Sequence, residues 1–171
     1  ALCMALQSMG KRVKTRCRHA ISAKYAFMFR GVKKQEFEPK TVVAVDVADI
    51  DLLGEPIREE YEGHVDLCID HHAGNRTFAT YTYVDSTAAA TTEIIYALIT
   101  KLGAKITPEI AEAIYTGITT DTGCFKYTNA TPRTYRIAAC MMETGIDAAA
   151  INREMFDTKT RARLEMERRV L

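Results

Sequence analysis

Five residues at three places in this sequence could do chemistry together: Asp46, the run Asp70-His71-His72, and Asp121. Two of the chain's 4 histidines stand side by side in Ile69-Asp70-His71-His72-Ala73-Gly74-Asn75. They directly follow a short apolar run that reads as a strand, and in open α/β sheets the C-terminal strand ends are where ligands bind. Neighbouring side chains on an extended backbone point opposite ways. His71 and His72 therefore cannot both serve one metal in the same manner: one ligates while the other reaches a neighbouring group. Taken alone, such a pair is as readily structural as functional.

Asp46 stands one residue from the end of Thr41-Val42-Val43-Ala44-Val45-Asp46-Val47. A carboxylate there either faces the mouth of a sheet or costs several kcal/mol in the interior. The plainer reading is an acid that caps the turn Asp49-Ile50-Asp51-Leu52-Leu53. Asp121 lies in Gly117-Ile118-Thr119-Thr120-Asp121-Thr122-Gly123, where a helix ends in poor helix formers and an acid opposes the helix dipole. Local stability given up in this way points to a task such as holding a cation. Asp46, His71 and Asp121 form a hard oxygen-and-imidazole set. It suits Mn²⁺ or Mg²⁺ better than a structural zinc, for which cysteine is expected. Three ligands do not fill two octahedral ions, so more are required.

The elements that must position these residues follow from periodicity. Thr41–Val47 is a β-branched run of the kind found in a central parallel strand covered on both faces. Val65–Asp70 is a second strand, and Phe78–Val84 a third. After Asp85 the period becomes helical. One helix runs over Ala88–Leu102 and stops at Gly103. Another opens at Thr107-Pro108-Glu109 with Thr107 as N-cap and Pro108 in the first turn, and runs to Asp121. Thr131-Pro132-Arg133 repeats that start signal for a helix ending near Gly145. Ile146–Phe156 and Thr160–Leu171 are helical in pattern as well. Upstream, Leu2–Met9 is a helix with a glycine stop, Arg12–Arg18 alternates like a half-buried strand, and Ser22 caps a short helix over Tyr25–Phe29. The fold class is α/β: a mostly parallel sheet flanked by helices, with a helical C-terminal half.

Composition excludes several classes. The 171 residues carry 23 Lys+Arg against 22 Asp+Glu, a net charge of +1, with 47% hydrophobic residues. That is neither a disordered chain nor one that holds nucleic acid by bulk charge. No apolar run approaches the roughly 18 residues of a membrane span. The 5 cysteines are scattered and never spaced as Cys-x-x-Cys, which fits a reducing, cytoplasmic setting. Arg12, Lys14, Arg16 and Arg18 fall on one face of their strand and read as a charged sheet edge. Phe78, Tyr81, Tyr83, Phe125 and Tyr127 could stack on bases. Strand alternation assigns most of them to the core and leaves Phe125 and Tyr127, which follow Asp121, as exceptions. Asn75 and Arg133 could help hold a phosphate, but Asn75 is equally a turn residue and Arg133 equally an exposed first-turn residue. Arg161, Arg163, Glu165, Glu167, Arg168 and Arg169 read as a solvated helix face.

These motifs, in this order, resemble the DHH phosphoesterases: Asp70-His71-His72 after a strand, the Val-Asp-Val acid at Asp46, and Gly-Ile-Thr-Thr-Asp-Thr-Gly around Asp121. The flanks Tyr83-Val84-Asp85, Thr92-Glu93-Ile94-Ile95-Tyr96, Ile114-Tyr115-Thr116-Gly117 and Thr131-Pro132-Arg133-Thr134-Tyr135 resemble the branch of bacterial nano-RNases that are also phosphoadenosine phosphate phosphatases. The resemblance runs along essentially the whole chain.

That resemblance implies two Mn²⁺ ions, with Mg²⁺ as an alternative, held in part by Asp46, His71 and Asp121. It implies that His72 contacts the phosphate, while Asp70 reads as the group that orients a histidine. It further implies two-metal hydrolysis of short RNA oligonucleotides or small nucleotide phosphates, with no membrane partner and with a homodimer left open. The family's first motif, a His and two aspartates before Gly-Ser, is expected just upstream of Ala1, and a substrate-binding domain beyond Leu171. Residues 1–171 accordingly read as part of a catalytic domain. Two other readings stay open: a related hydrolase of another phosphate, such as a cyclic-dinucleotide product or pyrophosphate, and a non-catalytic metal- or nucleotide-binding remnant.

Overall fold

Three short strands carry the architecture: β1 (Val43–Val45), β2 (Leu67–Asp70) and β3 (Tyr81–Val84). The computed structural model describes residues 1–158 and 161–170, the side chains of 162 and 163 excepted. The strands form one parallel sheet in the order β1-β2-β3, with Val43, Leu67 and Tyr81 in one row and Val45, Ile69 and Tyr83 in the next. Parallel pairing requires crossover connections, and it brings all three C-terminal ends to one edge. Asp46 follows β1 there, Asp70-His71 closes β2 and Asp85 follows β3. The ladder continues into those acids, since the Asp46 amide donates to the Ile69 carbonyl at 2.9 Å and the Asp85 amide to the Asp70 carbonyl at 3.1 Å.

β2 divides the interior. Its Ile69 and Leu67 join a large core with the isoleucines of α3 (Thr91–Lys101) and α4 (Pro108–Asp121), and with Ile137 and Met141 of α5 (Pro132–Met142). Cys68 points to the opposite face and packs with Ala44 and Val65. The helices start and stop where the capping residues direct. Thr107 accepts the Ile110 amide, and Thr131 forms a reciprocal capping box with Thr134, each stabilising its helix end by about 1 kcal/mol. Gly103 takes up a left-handed φ of 72° just past α3, the geometry a helix stop requires. The stretch read as one helix over Ile146–Phe156 is α6 (Ala148–Asn152) followed by a single π-type turn, Arg153–Asp157.

Several expectations are corrected. Thr41–Val47 reads as a strand covered on both faces, but β1 lies at the sheet's edge, with Val43 and Val45 exposed and only Ala44 buried. The core on that face is built over β2 and does not reach β1. Arg12–Arg18 forms no strand. Its backbone groups are taken by side chains instead: Val13 donates its amide to Gln35 Oε1 and accepts from Gln7 Nε2. Arg12 and Lys14 lie over the Phe37 ring, and Arg16 pairs with Glu60. Ser22 precedes a 3₁₀ turn over Ala23–Phe29 but makes no side-chain cap.

Two short elements carry little sequence signal: α2 (Ile57–Tyr61) and the 3₁₀ turn Ile50–Leu53. The remaining helices are α1 (Leu2–Ser8) and α7 (Arg161–Val170). Thr160 and Leu171, the ends of the last predicted helix, lie outside the described residues, as does the side chain of Arg163. No helix among the described residues is long and apolar enough to cross a membrane.

Candidate metal centre

Asp46 stands at the exit of β1 with a left-handed φ of 63°, a conformation an L-residue adopts at a cost that Asp and Asn bear better than most. This turn swings its carboxylate out of the strand's alternation to the sheet's mouth. There its Oδ1 accepts the Thr91 hydroxyl at 2.7 Å and lies 3.7 Å from His71 Nε2. The alternative reading of Asp46 as a turn cap is not realised, because Asp49 accepts the Asp51 amide.

His71 leaves β2 with Nδ1 3.1 Å from the Ala88 carbonyl. A carbonyl can only accept, so Nδ1 carries the proton and, in the neutral ring, Nε2 keeps the lone pair. That Nε2 lies 3.7 Å from Asp121 Oδ2 as well as from Asp46. Asp121 is the last residue of α4. The threonines that weaken this helix end turn their hydroxyls back on it: Thr119 and Thr120 onto the Thr116 carbonyl, and Thr122 onto that of Ile118. Such bonds compete with continued helix. Gly123, Cys124 and Phe125 then follow in succession with φ of 55°, 57° and 63°. Left-handed residues other than glycine concentrate where function over-determines the backbone. Of the four among the described residues, Asp46 lies in this site, Cys124 and Phe125 follow closely on Asp121, and Thr77 lies in the loop after Asn75.

Asp70 is fully buried, yet each of its oxygens is engaged. Oδ1 accepts the His71 amide and His72 Nδ1, both at 2.8 Å, and Oδ2 accepts Asn75 Nδ2 at 2.8 Å. Burial pushes its carboxyl up, but the hydrogen bonds from Asn75, His72 and the backbone amides outweigh that and hold it below the usual range. The same bond to Asp70 raises His72, against burial and with help from Asp46 and Asp121. His72 thus binds the interior through Nδ1 and presents Nε2 outward. Strand alternation does not separate the two imidazoles, because β2 ends at Asp70. Their ring centroids lie 4.4 Å apart, edge to face.

Asp46, His71 and His72 each bring a ligand atom within 4.8 Å of the others, and Asp121 closes on His71 as well. Burial first, and then the neighbouring Asp46 charge, raises the Asp121 carboxyl, with the two histidines opposing. The two carboxylates are thus set against each other, with His71 Nε2 3.7 Å from each. Donors 3.7 Å apart fit an ion with bonds of about 2.1 Å, and the set holds hard oxygens and imidazole with no thiolate. The residues present fit a divalent cation such as Mn²⁺ or Mg²⁺.

The structure gives Asn75 and Arg133 other partners. The Asn75 amide donates to Asp70 Oδ2 and the Val47 carbonyl, and its oxygen accepts the Thr77 amide. Arg133 lies between Asp85 at 2.7 Å and Glu93 at 3.2 Å. The aromatic assignment holds for Phe78, which packs against the smaller core, and fails at three positions: Tyr81 and Tyr83 are exposed on edge strand β3, whereas Phe125 stacks on Tyr135 at 5.1 Å and tilts onto Tyr115. Tyr127 stays exposed, its ring lying over Gly123, where a Cβ would collide with it. Thr91 and Asn129 also belong to the site, and sequence reasoning passes over both. Asn129 Nδ2 donates to the carbonyls of Ala89 and Asp121, each at 3.1 Å. Locally, Thr91 looks like its neighbour Thr92, and Asn129 like any turn residue.

Comparison with known proteins gives the family and the fold. Among curated relatives, the bifunctional oligoribonuclease and PAP phosphatase NrnA of Thermus thermophilus is 40% identical over 112 residues, 65% of this chain and 33% of its own length. NrnA of Bacillus subtilis is 26% identical over 142 residues, 81% of this chain and 44% of its own. The chain thus spans a third to under half of these relatives. Among solved structures, an exopolyphosphatase-related protein from Bacteroides fragilis superposes with a TM-score of 0.85 at 26% identity, covering 96% of this chain and 53% of that one. A putative family II inorganic pyrophosphatase from Methanococcus jannaschii shares the fold at a TM-score of 0.56 and 23% identity, covering 77% of this chain and 48% of that one. The model of the DHH family's N-terminal domain matches residues 1–118, a span that holds Asp46 and the Asp70-His71-His72 run and stops just short of Asp121. With its acids and histidines gathered at the C-terminal edge of a parallel sheet, this chain belongs to the DHH family.

Proposed function

We propose that this chain is the metal-binding part of a phosphoesterase catalytic domain that hydrolyses short oligoribonucleotides and 3′-phosphoadenosine 5′-phosphate. Two Mn²⁺ ions, with Mg²⁺ as an alternative, serve the reaction. One observation carries the reading: Asp46 and Asp121 both converge on His71 Nε2, each at 3.7 Å. The relatives named as oligoribonuclease and PAP phosphatase supply the substrate class.

Asp46, His71 and Asp121 would hold the metal, with further ligands from elsewhere in the protein. Bound divalent ions lower the pKa of water towards neutrality and offset phosphoryl charge. The chain's own groups do the rest. Asp70 fixes the His72 ring through Nδ1, so that Nε2 faces outward. The raised His72 keeps a proton there more readily than a free imidazole, which suits a donor to a phosphoryl oxygen. Asn75 braces Asp70 from behind. Arg133 holds Asp85 and Glu93 rather than substrate. Substrate recognition then falls to exposed aromatics such as Tyr127 and to parts of the protein outside this chain. A cytoplasmic location completes the reading.

A second reading has one observation in its favour. The Bacteroides fragilis neighbour, similar over 96% of the chain, is described as exopolyphosphatase-related, so an inorganic or other phosphate is the alternative substrate. One assay separates them: full-length protein with Mn²⁺, offered 3′-phosphoadenosine 5′-phosphate, a diribonucleotide, pyrophosphate and polyphosphate in parallel. Turnover of the first two supports the proposal, and turnover of the last two alone supports the second reading. A protein that binds Mn²⁺ and turns over none of them is a non-catalytic remnant.

A further inference from the structure

The three candidate ligands come from three separate elements, the ends of β1, β2 and α4, and nothing in the sheet alone sets their spacing. One segment touches two of them directly and reaches the third through Asn129. Residues 88–91 cross from β3 into the first turn of α3 and are almost wholly buried, Ala88 at 5%, Ala89 and Ala90 at 1% each and Thr91 at 3% exposure. The Ala88 carbonyl accepts His71 Nδ1 at 3.1 Å. The Thr91 hydroxyl donates to Asp46 Oδ1 at 2.7 Å. The Ala89 carbonyl accepts Asn129 Nδ2, and the same amide nitrogen donates to the Asp121 carbonyl, both at 3.1 Å.

The local chemistry is not what helix stability alone would select. The N-cap of α3 is Ala90, with no side-chain cap, where a Ser, Thr, Asp or Asn would add about 1 kcal/mol. The first hydroxyl of this helix comes one residue later and is directed at Asp46. The three alanines put nothing larger than a methyl group between the segment and its neighbours. Asn129 uses two amide hydrogens on two carbonyls, one of them at the open C-terminal end of α4, where carbonyls lack helical partners.

We propose that residues 88–91 and Asn129 form one template that sets the spacing of Asp46, His71 and Asp121, with Thr91 and Asn129 as its positioning residues. Thr91 aims the Asp46 carboxylate despite its left-handed backbone, the Ala88 carbonyl selects the His71 tautomer that leaves Nε2 open, and Asn129 fixes where α4 ends. Partners behind metal ligands typically govern affinity by 10–100-fold. The inference rests on the metal-centre reading above.

The test is Mn²⁺ titration calorimetry on the full-length protein, alongside metal-free thermal melts. Thr91→Val keeps the shape and removes the hydroxyl. It is expected to weaken Mn²⁺ binding by about 10-fold or more with an unchanged metal-free melt, and Thr91→Ser to restore binding to within about threefold. Asn129→Asp, which presents oxygens to two carbonyls, is expected to weaken binding as Thr91→Val does. Wild-type affinity in both Thr91→Val and Asn129→Asp overturns the template, as does a Thr91→Ser variant as weak as Thr91→Val. A wild-type protein that binds no Mn²⁺ overturns the metal-centre reading itself, a different outcome from intact wild-type binding that the variants leave untouched.

Discussion

Two acidic clusters sit near the same edge of this fold, and the chain treats them in opposite ways. Asp85 and Glu93 share Arg133, at 2.7 and 3.2 Å. Hydrogen bonds from Thr87 and from Arg133 hold the Asp85 carboxyl down at about 2. Glu93, fully buried and accepting no hydrogen bond, rests on that guanidinium. Asp46 and Asp121 face imidazoles, and Asp46 also the Thr91 hydroxyl, with no arginine or lysine paired to either among the described residues; the Asp121 carboxyl is driven up by burial and by Asp46. Where a cluster is structural, the chain supplies its own cation. Where it does not, the cation is expected from solution, because a bound cation offsets the repulsion between neighbouring like charges.

The comparison can be broken in four places. The largest effect belongs to His71→Ala in the full-length protein, which should abolish Mn²⁺-dependent hydrolysis and leave the circular dichroism unchanged; undiminished turnover would sink the metal assignment. Next is Arg133→Met, which strands a buried carboxylate. It should cost about 3 kcal/mol in chemical denaturation, the low end for a broken buried pair because the arginine is partly exposed.

Asp85→Asn should cost on the order of 1–2 kcal/mol at neutral pH, once screening at the partly exposed arginine is allowed for. The sign follows from the lowered carboxyl. Its contribution is full above about pH 4 and fades as pH falls towards 2, so wild type and variant should converge in acid. The smallest effect has the opposite sign. A raised Asp121 carboxyl makes the metal-free fold less stable as pH climbs past the ordinary carboxylate range, so Asp121→Asn should stabilise the metal-free protein at pH 7 by a fraction of a kcal/mol. The same variant should lose the rise in melting temperature that Mn²⁺ gives wild type. A destabilised Asp121→Asn would place both clusters in one class.

Much of this was legible in the residues because it depends on local chemistry. Thr107-Pro108 and Thr131-Pro132 start helices by capping alone, and β2 is legible because both its faces are apolar. Strand-end position brought Asp46 and the His71-His72 pair forward, and the poor helix formers at the end of α4 brought Asp121 forward. What escaped depends on distant partners. Arg12–Arg18 alternates as a strand would, yet Gln35 and Gln7 take its backbone groups from elsewhere in the chain. Tyr81 and Phe125 trade places because burial on β3 is decided by what covers the sheet, which period two does not record. Arg133 passes for a first-turn cation until Asp85 and Glu93, far off in sequence, arrive on either side of it.

The left-handed backbone at Asp46 has a consequence for how this position tolerates change. An ordinary L-residue pays about 1–2 kcal/mol for that conformation, and asparagine and glycine pay less. A library of all substitutions at residue 46, scored for folding without metal, should therefore rank glycine and asparagine above alanine, and alanine above valine. That order runs against strand propensity, and its placing of glycine and asparagine above alanine runs against helix propensity. Scored for metal-dependent activity, the same library should retain little beyond aspartate itself. The gap between the two rankings isolates what the carboxylate does from what the turn demands.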